Sequence, residues 1–189
     1  YEIIILPDTI SDEKIDGVRL IATGEMGPAE KRNIGIKEAD GSIIAFLDDD
    51  SYPVCSWLTW AVEHFEDPTI GAVGGPAVTP DHDSPEQKTS GFVFSSYLGG
   101  GSVRYRYVPG KTREVDDYAS VNLLVRRDLL LQVGMFNPSF YPGEDTILCL
   151  DIVNAGKKIL YDPNVLVFHH RRKVFGPHLK QVANYAKHR

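Results

Sequence analysis

Apolar runs alternate along the chain with amphipathic stretches, and the period of each decides the element it predicts. Residues 2–6, Glu-Ile-Ile-Ile-Leu, are mostly β-branched and end at Pro7-Asp8, which predicts a short buried strand and its exit loop. Residues 18–22 predict a second strand, and Pro28 to Ala39 a helix that has Pro in its first turn and stops at Asp40-Gly41. Ile43 to Leu47 is the clearest strand, continuous and apolar, and it runs directly into Asp48, Asp49 and Asp50. Pro53 predicts the opening of a helix in which Trp57, Leu58, Ala61, Val62 and Phe65 recur at helical spacing and which Asp67-Pro68 closes. Ile70 to Val78 predicts a strand interrupted by Gly74-Gly75.

Strands apolar on both faces and alternating with helices predict an α/β domain with a largely parallel central sheet. Ligands of such sheets bind beyond the C-terminal strand ends, where Asp8 and the three aspartates fall. The rhythm is lost from Thr79 to Glu114, where Pro, Gly, Ser and Tyr dominate and a long functional connection is expected. It returns with a strand over 118–125, a helix over 127–133, a helix from Glu144 to Ala155 stopped by Gly156, and short strands around Ile159 and Val167. Phe175 to Arg189 predicts an amphipathic helix, and no internal repeat is visible.

Composition adds further constraints. With 189 residues, 42% hydrophobic and 24% charged, the chain has the makings of one globular domain with a real core. Cys55 and Cys149 sit in apolar-periodic segments, so a reducing compartment fits better than a disulfide framework. No run reaches the roughly 18 apolar residues of a membrane span. Charge is uneven: the net is -6, yet His169 to Arg189 holds six of the 20 Lys and Arg and none of the 26 Asp and Glu, so residues 1–168 carry 14 basic against 26 acidic groups. A basic end on an acidic body suits phosphates or an anionic membrane surface, or is a solvated helix face. The chain opens at Tyr1 directly on a strand, so it is expected to be part of something longer.

Three clusters carry candidate chemistry. Consecutive carboxylates at a strand end repel one another, and side-chain alternation would put Asp48 and Asp50 on one face, suited to a hard divalent cation that bridges phosphate oxygens. An exposed acidic turn or a structural calcium site would look the same. Gly143-Glu144-Asp145 opens a helix, where a carboxylate also complements the helix dipole. His169-His170-Arg171-Arg172 leaves a strand and combines imidazole ligands with phosphate-binding guanidiniums.

Arg32-Asn33-x-Gly35, Ala39-x-Gly41 and Phe46-Leu47-Asp48-x-Asp50-x-x-Pro53 closely resemble family 2 glycosyltransferases, the inverting class with the GT-A fold. The Arg126-Arg127 helix entry with Leu129, Val133-Gly134-x-Phe136, Gly143-Glu144-Asp145 and the Ala155-Gly156 stop match that family's second half, so the resemblance runs from about residue 2 to 175. It implies a nucleotide-diphospho-sugar transferase fold with a mainly parallel central sheet flanked by helices. Residues 1–80 would serve the nucleotide sugar, 81–174 the acceptor, and 175–189 would form a basic amphipathic helix. Asp8 matches the acidic residue that reads the base, and Arg32 the basic residue near the nucleotide; Asp48, Asp49 and Arg172 belong to the same donor site. Asp50 and Asp48 match the metal-binding pair, with Mn²⁺ or Mg²⁺ as cofactor. His169, or His170 in its place, matches a late histidine at metal or diphosphate. Asp145 matches the general base, with Glu144 beside it. Glycines and aromatic faces place Gly99 to Gly101, with Tyr97, Arg104, Tyr105, Arg106 and Tyr107, near the acceptor, or the segment is an ordinary surface loop.

The chain departs from the family in three ways. The family's first β–α unit precedes anything seen here, the acidic-Gly-Ser turn is replaced by Pro7-Asp8-Thr9-Ile10-Ser11, and the Gln-x-x-Arg-Trp motif of processive synthases is absent. The expected activity is therefore metal-dependent transfer of one sugar, with inversion, from a nucleotide sugar to a glycan or lipid-linked acceptor. The expected place is the cytoplasmic face of a membrane, and nucleic acid is not among the expected partners. A nucleotidyltransferase and a non-catalytic nucleotide- or sugar-binding module are the alternatives.

Overall fold

The computed structural model describes residues 1–9 and 15–188, with side chains described to residue 184. Ile10 and Ser11 of the variant turn, and Tyr185 and Arg189 of the last helix, thus lie outside the described residues or side chains.

Ile3–Ile5 (β1) pairs in parallel with Val18–Leu20 (β2). Pro28–Glu38 (α1) leads to Ile43–Leu47 (β3), followed by a turn and the short Ser51–Pro53 (β4). Trp57–Glu63 (α2) precedes Ile70–Gly74 (β5) and Ala77–Val78 (β6). Pro85–Ser95 (α3), Tyr97–Gly100 (α4) and a 3₁₀ turn at Gly101–Arg106 come next. Arg113–Val115 (β7), Asn122–Arg126 (β8), Arg127–Val133 (α5), Glu144–Asn154 (α6), Lys158–Tyr161 (β9), Val167–His169 (β10) and Gly176–His188 (α7) complete the order.

The main sheet has the order β3-β8-β5-β9-β7. β3, β5 and β9 share one direction, but β8 runs antiparallel between β3 and β5, and β7 runs antiparallel to β9. The parallel reading therefore holds for the direction of three strands and not for most neighbouring pairs. Apolar periodicity could not distinguish them, because Leu123, Leu124 and Val125 of β8 are as fully buried as any parallel strand. Side-chain alternation feeds two cores. Leu123, Val125, Ala72, Ile159 and Tyr161 face α1, α5 and α6, whereas Leu124, Val73 and Leu160 face α2 and Val165 to Val167.

Two segments differ from the sequence expectation. Pro53 ends β4 rather than opening a helix, and α2 starts at Trp57. The stretch from Thr79 to Glu114 is not a long loop but mostly helical. Its entry is a capping box, in which Gln87 N–H donates to Ser84 Oγ (3.3 Å) and Ser84 N–H to Gln87 Oε1 (3.2 Å). The helices are hard to read because they bury little: Phe92 is 71% and Leu98 101% exposed.

Gly74-Gly75 marks a close approach rather than a bend in need of flexibility. A Cβ on Gly75 would lie 1.7 Å from the Val165 carbonyl oxygen, and one on Gly74 would enter the Tyr118 ring. Asn122 ties the same spot together: its side-chain N–H groups donate to the Gly75 and Val165 carbonyls (2.7 Å each), and its Oδ1 accepts from Trp57 Nε1 (2.8 Å).

β4 and β6 flank β10 in a second, three-stranded sheet, antiparallel on the β4 side and parallel on the β6 side. This sheet brings the end of β10 next to the aspartates after β3. β1 and β3 belong to different sheets, and both line a cleft of about 1460 Å³ that continues past Asp48–Asp50 to residues 141–145 and 169–172.

Candidate functional site

Asp48 to Asp50 do not extend β3. Ser51 N–H and Oγ–H both donate to the Asp48 carbonyl (3.1 and 2.8 Å), closing a tight turn that folds Asp50 back. Asp48, Asp50 and His169 consequently present one ligand atom each, all within 4.8 Å of one another. Shared-face alternation along a strand was thus the wrong route to a correct proximity, while Asp49 is exposed beside them.

His169 Nε2 lies 2.9 Å from Asp50 Oδ1, and Arg171 Nη1 donates to His169 Nδ1 (2.8 Å). Guanidinium has no acceptor, so Nδ1 supplies its lone pair and the Nε2 proton points to Asp50. Arg171 is itself buried and held by Thr79 Oγ1 (3.3 Å) and the Ala77 carbonyl. Partial burial would raise the Asp50 pKa, but the hydrogen bond from His169, with a backbone amide and the Arg171 charge, holds it below the usual carboxylate range. Two carboxylates and one imidazole on a ring this small fit a divalent cation that keeps some water.

Arg32 joins this group to the helix α6 start. Its guanidinium donates to Asp48 Oδ1 (3.1 Å) and Glu144 Oε1 (2.9 Å), and it lies over the Phe136 ring at 5.4 Å. Asn33 fixes that ring's backbone by exchanging hydrogen bonds with Phe136 N–H (2.9 Å) and C=O (2.8 Å). Glu144 is 5% exposed, so its charge is buried against an arginine rather than displayed at a helix end.

Gly143, at φ 130°, supplies the turn into α6 and makes no side-chain cap. Asp145 is half-buried; its Oδ2 accepts from Ser120 N–H (3.2 Å) and its Oδ1 from Thr146 N–H (3.1 Å). Burial, and then the neighbouring Glu144 charge, push its pKa above the ordinary value, against the Ser120 amide and Arg32.

The remaining candidates are placed less tightly. Asp8 is exposed and paired with Lys31, whose Nζ also donates to the Leu6 carbonyl (3.2 Å). Arg172 is exposed on the cleft wall, and His170 turns away from Asp50 to Asp83 (Nδ1 to Oδ1, 2.5 Å). Arg104 stacks on Tyr97 (4.5 Å), and Arg106 is buried against Asp117 (2.9 Å), so its guanidinium is structural. Ser120 and the orienting role of Arg171 were not visible in the sequence; the basic run pointed to Arg171 only as one of several arginines.

A mixed sheet flanked by helices, with acidic turns at the strand ends, defines a GT-A type α/β protein. The family model "Glycosyl transferase family 2" matches residues 7–134, and the chain belongs to that family. It is 31% identical over 148 residues to a pre-mycofactocin glycosyltransferase of Mycobacterium tuberculosis, a match covering 77% of this chain and 30% of that protein. It is 28% identical over 169 residues to the glycosyltransferase AglE of Haloferax volcanii, covering 86% of this chain and 50% of AglE. The chain thus spans half or less of either relative. The mannosyltransferase PcManGT of Pyrobaculum calidifontis, solved with GDP-Man and Mn²⁺, superposes with a TM-score of 0.67 at 19% identity over 99% of this chain and 52% of its own.

Proposed function

We propose that this chain is the catalytic part of a glycosyltransferase that moves one sugar from a nucleoside-diphosphate sugar to an acceptor hydroxyl with inversion. The observation that carries the reading is Arg32, which spans Asp48 of the cation-binding group and Glu144 beside the half-buried Asp145. A cation-binding set and a carboxylate of raised pKa thereby line one cleft.

Asp48, Asp50 and His169 would hold Mn²⁺ or Mg²⁺, which neutralises the departing diphosphate. A cation at His169 Nε2 needs the ring proton on Nδ1, so Arg171 would have to release that nitrogen when the metal binds. Asp145 accepts the acceptor's hydroxyl proton while its oxygen bonds the anomeric carbon, and the bond from that carbon to the diphosphate oxygen breaks on the opposite face. Arg32, Asp49 and Arg172 contact the donor, and Asp8 the base. Residues 1–80 form the donor part, 81–174 the acceptor part, and 175–189 an appended basic helix. The acceptor is a glycan or a lipid-linked glycan, and the enzyme works at the cytoplasmic face of a membrane, with α7 on its anionic surface.

PcManGT, solved with GDP-Man and Mn²⁺, and GalNAc-T7, solved with UDP, GalNAc and Mn²⁺, support a metal-dependent donor site. Calorimetric titration of UDP and GDP, with Mn²⁺ or with EDTA, tests it on wild type and Asp50→Ala. Metal-dependent binding that disappears in Asp50→Ala is the expected result. Tight binding indifferent to both metal and Asp50 would overturn the donor-site assignment, and release of pyrophosphate rather than a nucleoside diphosphate would identify a nucleotidyltransferase.

A further inference from the structure

His169 and His170 are consecutive at the end of an extended strand, so their side chains diverge. The first meets Asp50; the second enters a different group. His82, Asp83 and His170 present three ligand atoms within 4.8 Å of one another, and none belongs to the donor-site set of Asp48, Asp50 and His169.

Several features make this more than a histidine resting on a carboxylate. The Asp83 side chain is 3% exposed; Oδ1 meets His170, but Oδ2 is buried with no hydrogen-bond partner among the described residues. A carboxylate oxygen removed from water and left unpaired is costly, and a cation beside it would remove that cost. The ligands are also held from both sides. Asp83 N–H donates to the Pro80 carbonyl (3.2 Å), and the Ser84 capping box of α3 starts at the next residue. The Tyr52 ring packs against both imidazoles, at 6.4 Å from His82 and 5.7 Å from His170. His82 itself is exposed, which leaves the site open to solvent and exchange.

We propose that His82, Asp83 and His170 form a second divalent-cation site, separate from the donor site and of different preference. Two imidazoles and one carboxylate suit Zn²⁺ and similar borderline ions, whereas the set around Asp50 is richer in carboxylate oxygen and suits Mn²⁺ or Mg²⁺. The two sites share a backbone link, because His170 N–H donates to the Asp50 carbonyl at 2.9 Å.

The test is calorimetric Zn²⁺ titration of EDTA-stripped, desalted protein, with Co²⁺ visible absorption as a second readout of nitrogen ligation. Asp50→Ala serves as the parent so that the donor site does not contribute. One Zn²⁺ per chain is expected in Asp50→Ala. Adding His82→Ala should weaken it by at least about tenfold, the loss that even an outer-sphere partner of a metal can cause. His82 is at the surface, so the metal-free melting temperature should not move; Asp83→Asn, which keeps the shape and removes the charge, should weaken binding similarly. Equal Zn²⁺ affinity with and without His82 would overturn the proposal, as would loss of all Zn²⁺ binding on Asp50→Ala alone.

Discussion

Two carboxylates in the cleft are driven in opposite directions by their surroundings. Asp50 is kept ionised by His169 and Arg171 against partial burial, while Asp145 is made more basic by burial and by Glu144. The first suits a permanent cation ligand and the second a group that must take up a proton. Asp145→Asn should retain donor binding and lose about 10²–10⁴-fold in transfer, the usual contribution of a positioned base; near-normal turnover would remove Asp145 from the role. In wild type the acid limb of the rate profile should inflect above the ordinary aspartate value of about 3.9. The same shift has a stability sign. An aspartate whose folded pKa is raised contributes stability that is present below its unfolded pKa and lost as pH rises through the folded one. Asp145→Asn should therefore melt higher than wild type at neutral pH, with the difference vanishing near the acid end, which thermal scans at the two pH values would read.

The elements that position these residues were legible to the degree that they bury an apolar face. β3, β5, β8, α1 and α6 follow their sequence patterns to within a few residues because each feeds one of the two cores. α3 and α4 do not, since Phe92, Tyr97 and Leu98 point outward and leave no periodic core signal, although Ser84-Pro85-Glu86-Gln87 carried the capping chemistry. The turn at Asp48–Ser51 and the separate partners that His169 and His170 meet were equally hidden, because both depend on where β4, β6 and β10 pair. The Gly74-Gly75 break was visible, but its cause was not: the Val165 backbone passes where a Cβ would stand. Gly75→Ala must push that segment away from β5 and strain the three Asn122 hydrogen bonds. Overpacking of this kind costs about 1–3 kcal/mol, so the urea midpoint should fall with the m-value unchanged. A midpoint within error of wild type would mean that β6 and the Val165 segment are not held at this separation in solution.

Across the whole molecule, charge is segregated in a way the local elements do not require. No helix among the described residues is long and apolar enough to cross a membrane. The chain's basic end nevertheless falls on α7 and its approach, where Phe175 (74%), Leu179 (61%) and Val182 (40%) are exposed near Arg172, Lys173 and Lys180. α7 is anchored to α3 by a buried Ser90 Oγ to His178 Nδ1 contact (2.7 Å), by Phe94 packing on His178 (4.8 Å) and by Val174 N–H to the Glu86 carbonyl (3.2 Å). Its outward apolar residues are therefore presented by a fixed helix. Such a helix gains from burying its apolar side in the headgroup boundary and gains about 1 kcal/mol per basic residue near an anionic leaflet. The acidic body, with 26 carboxylates against 14 basic groups in residues 1–168, opposes that attraction, so the apolar contribution is needed as well. Flotation should find the protein on vesicles containing phosphatidylserine and not on phosphatidylcholine alone, with binding falling as salt is raised. Leu179→Asp should abolish it without lowering the melting temperature, since that side chain is exposed. Equal flotation on both vesicle types would leave α7 as a solvated face and would separate acceptor delivery from the membrane surface.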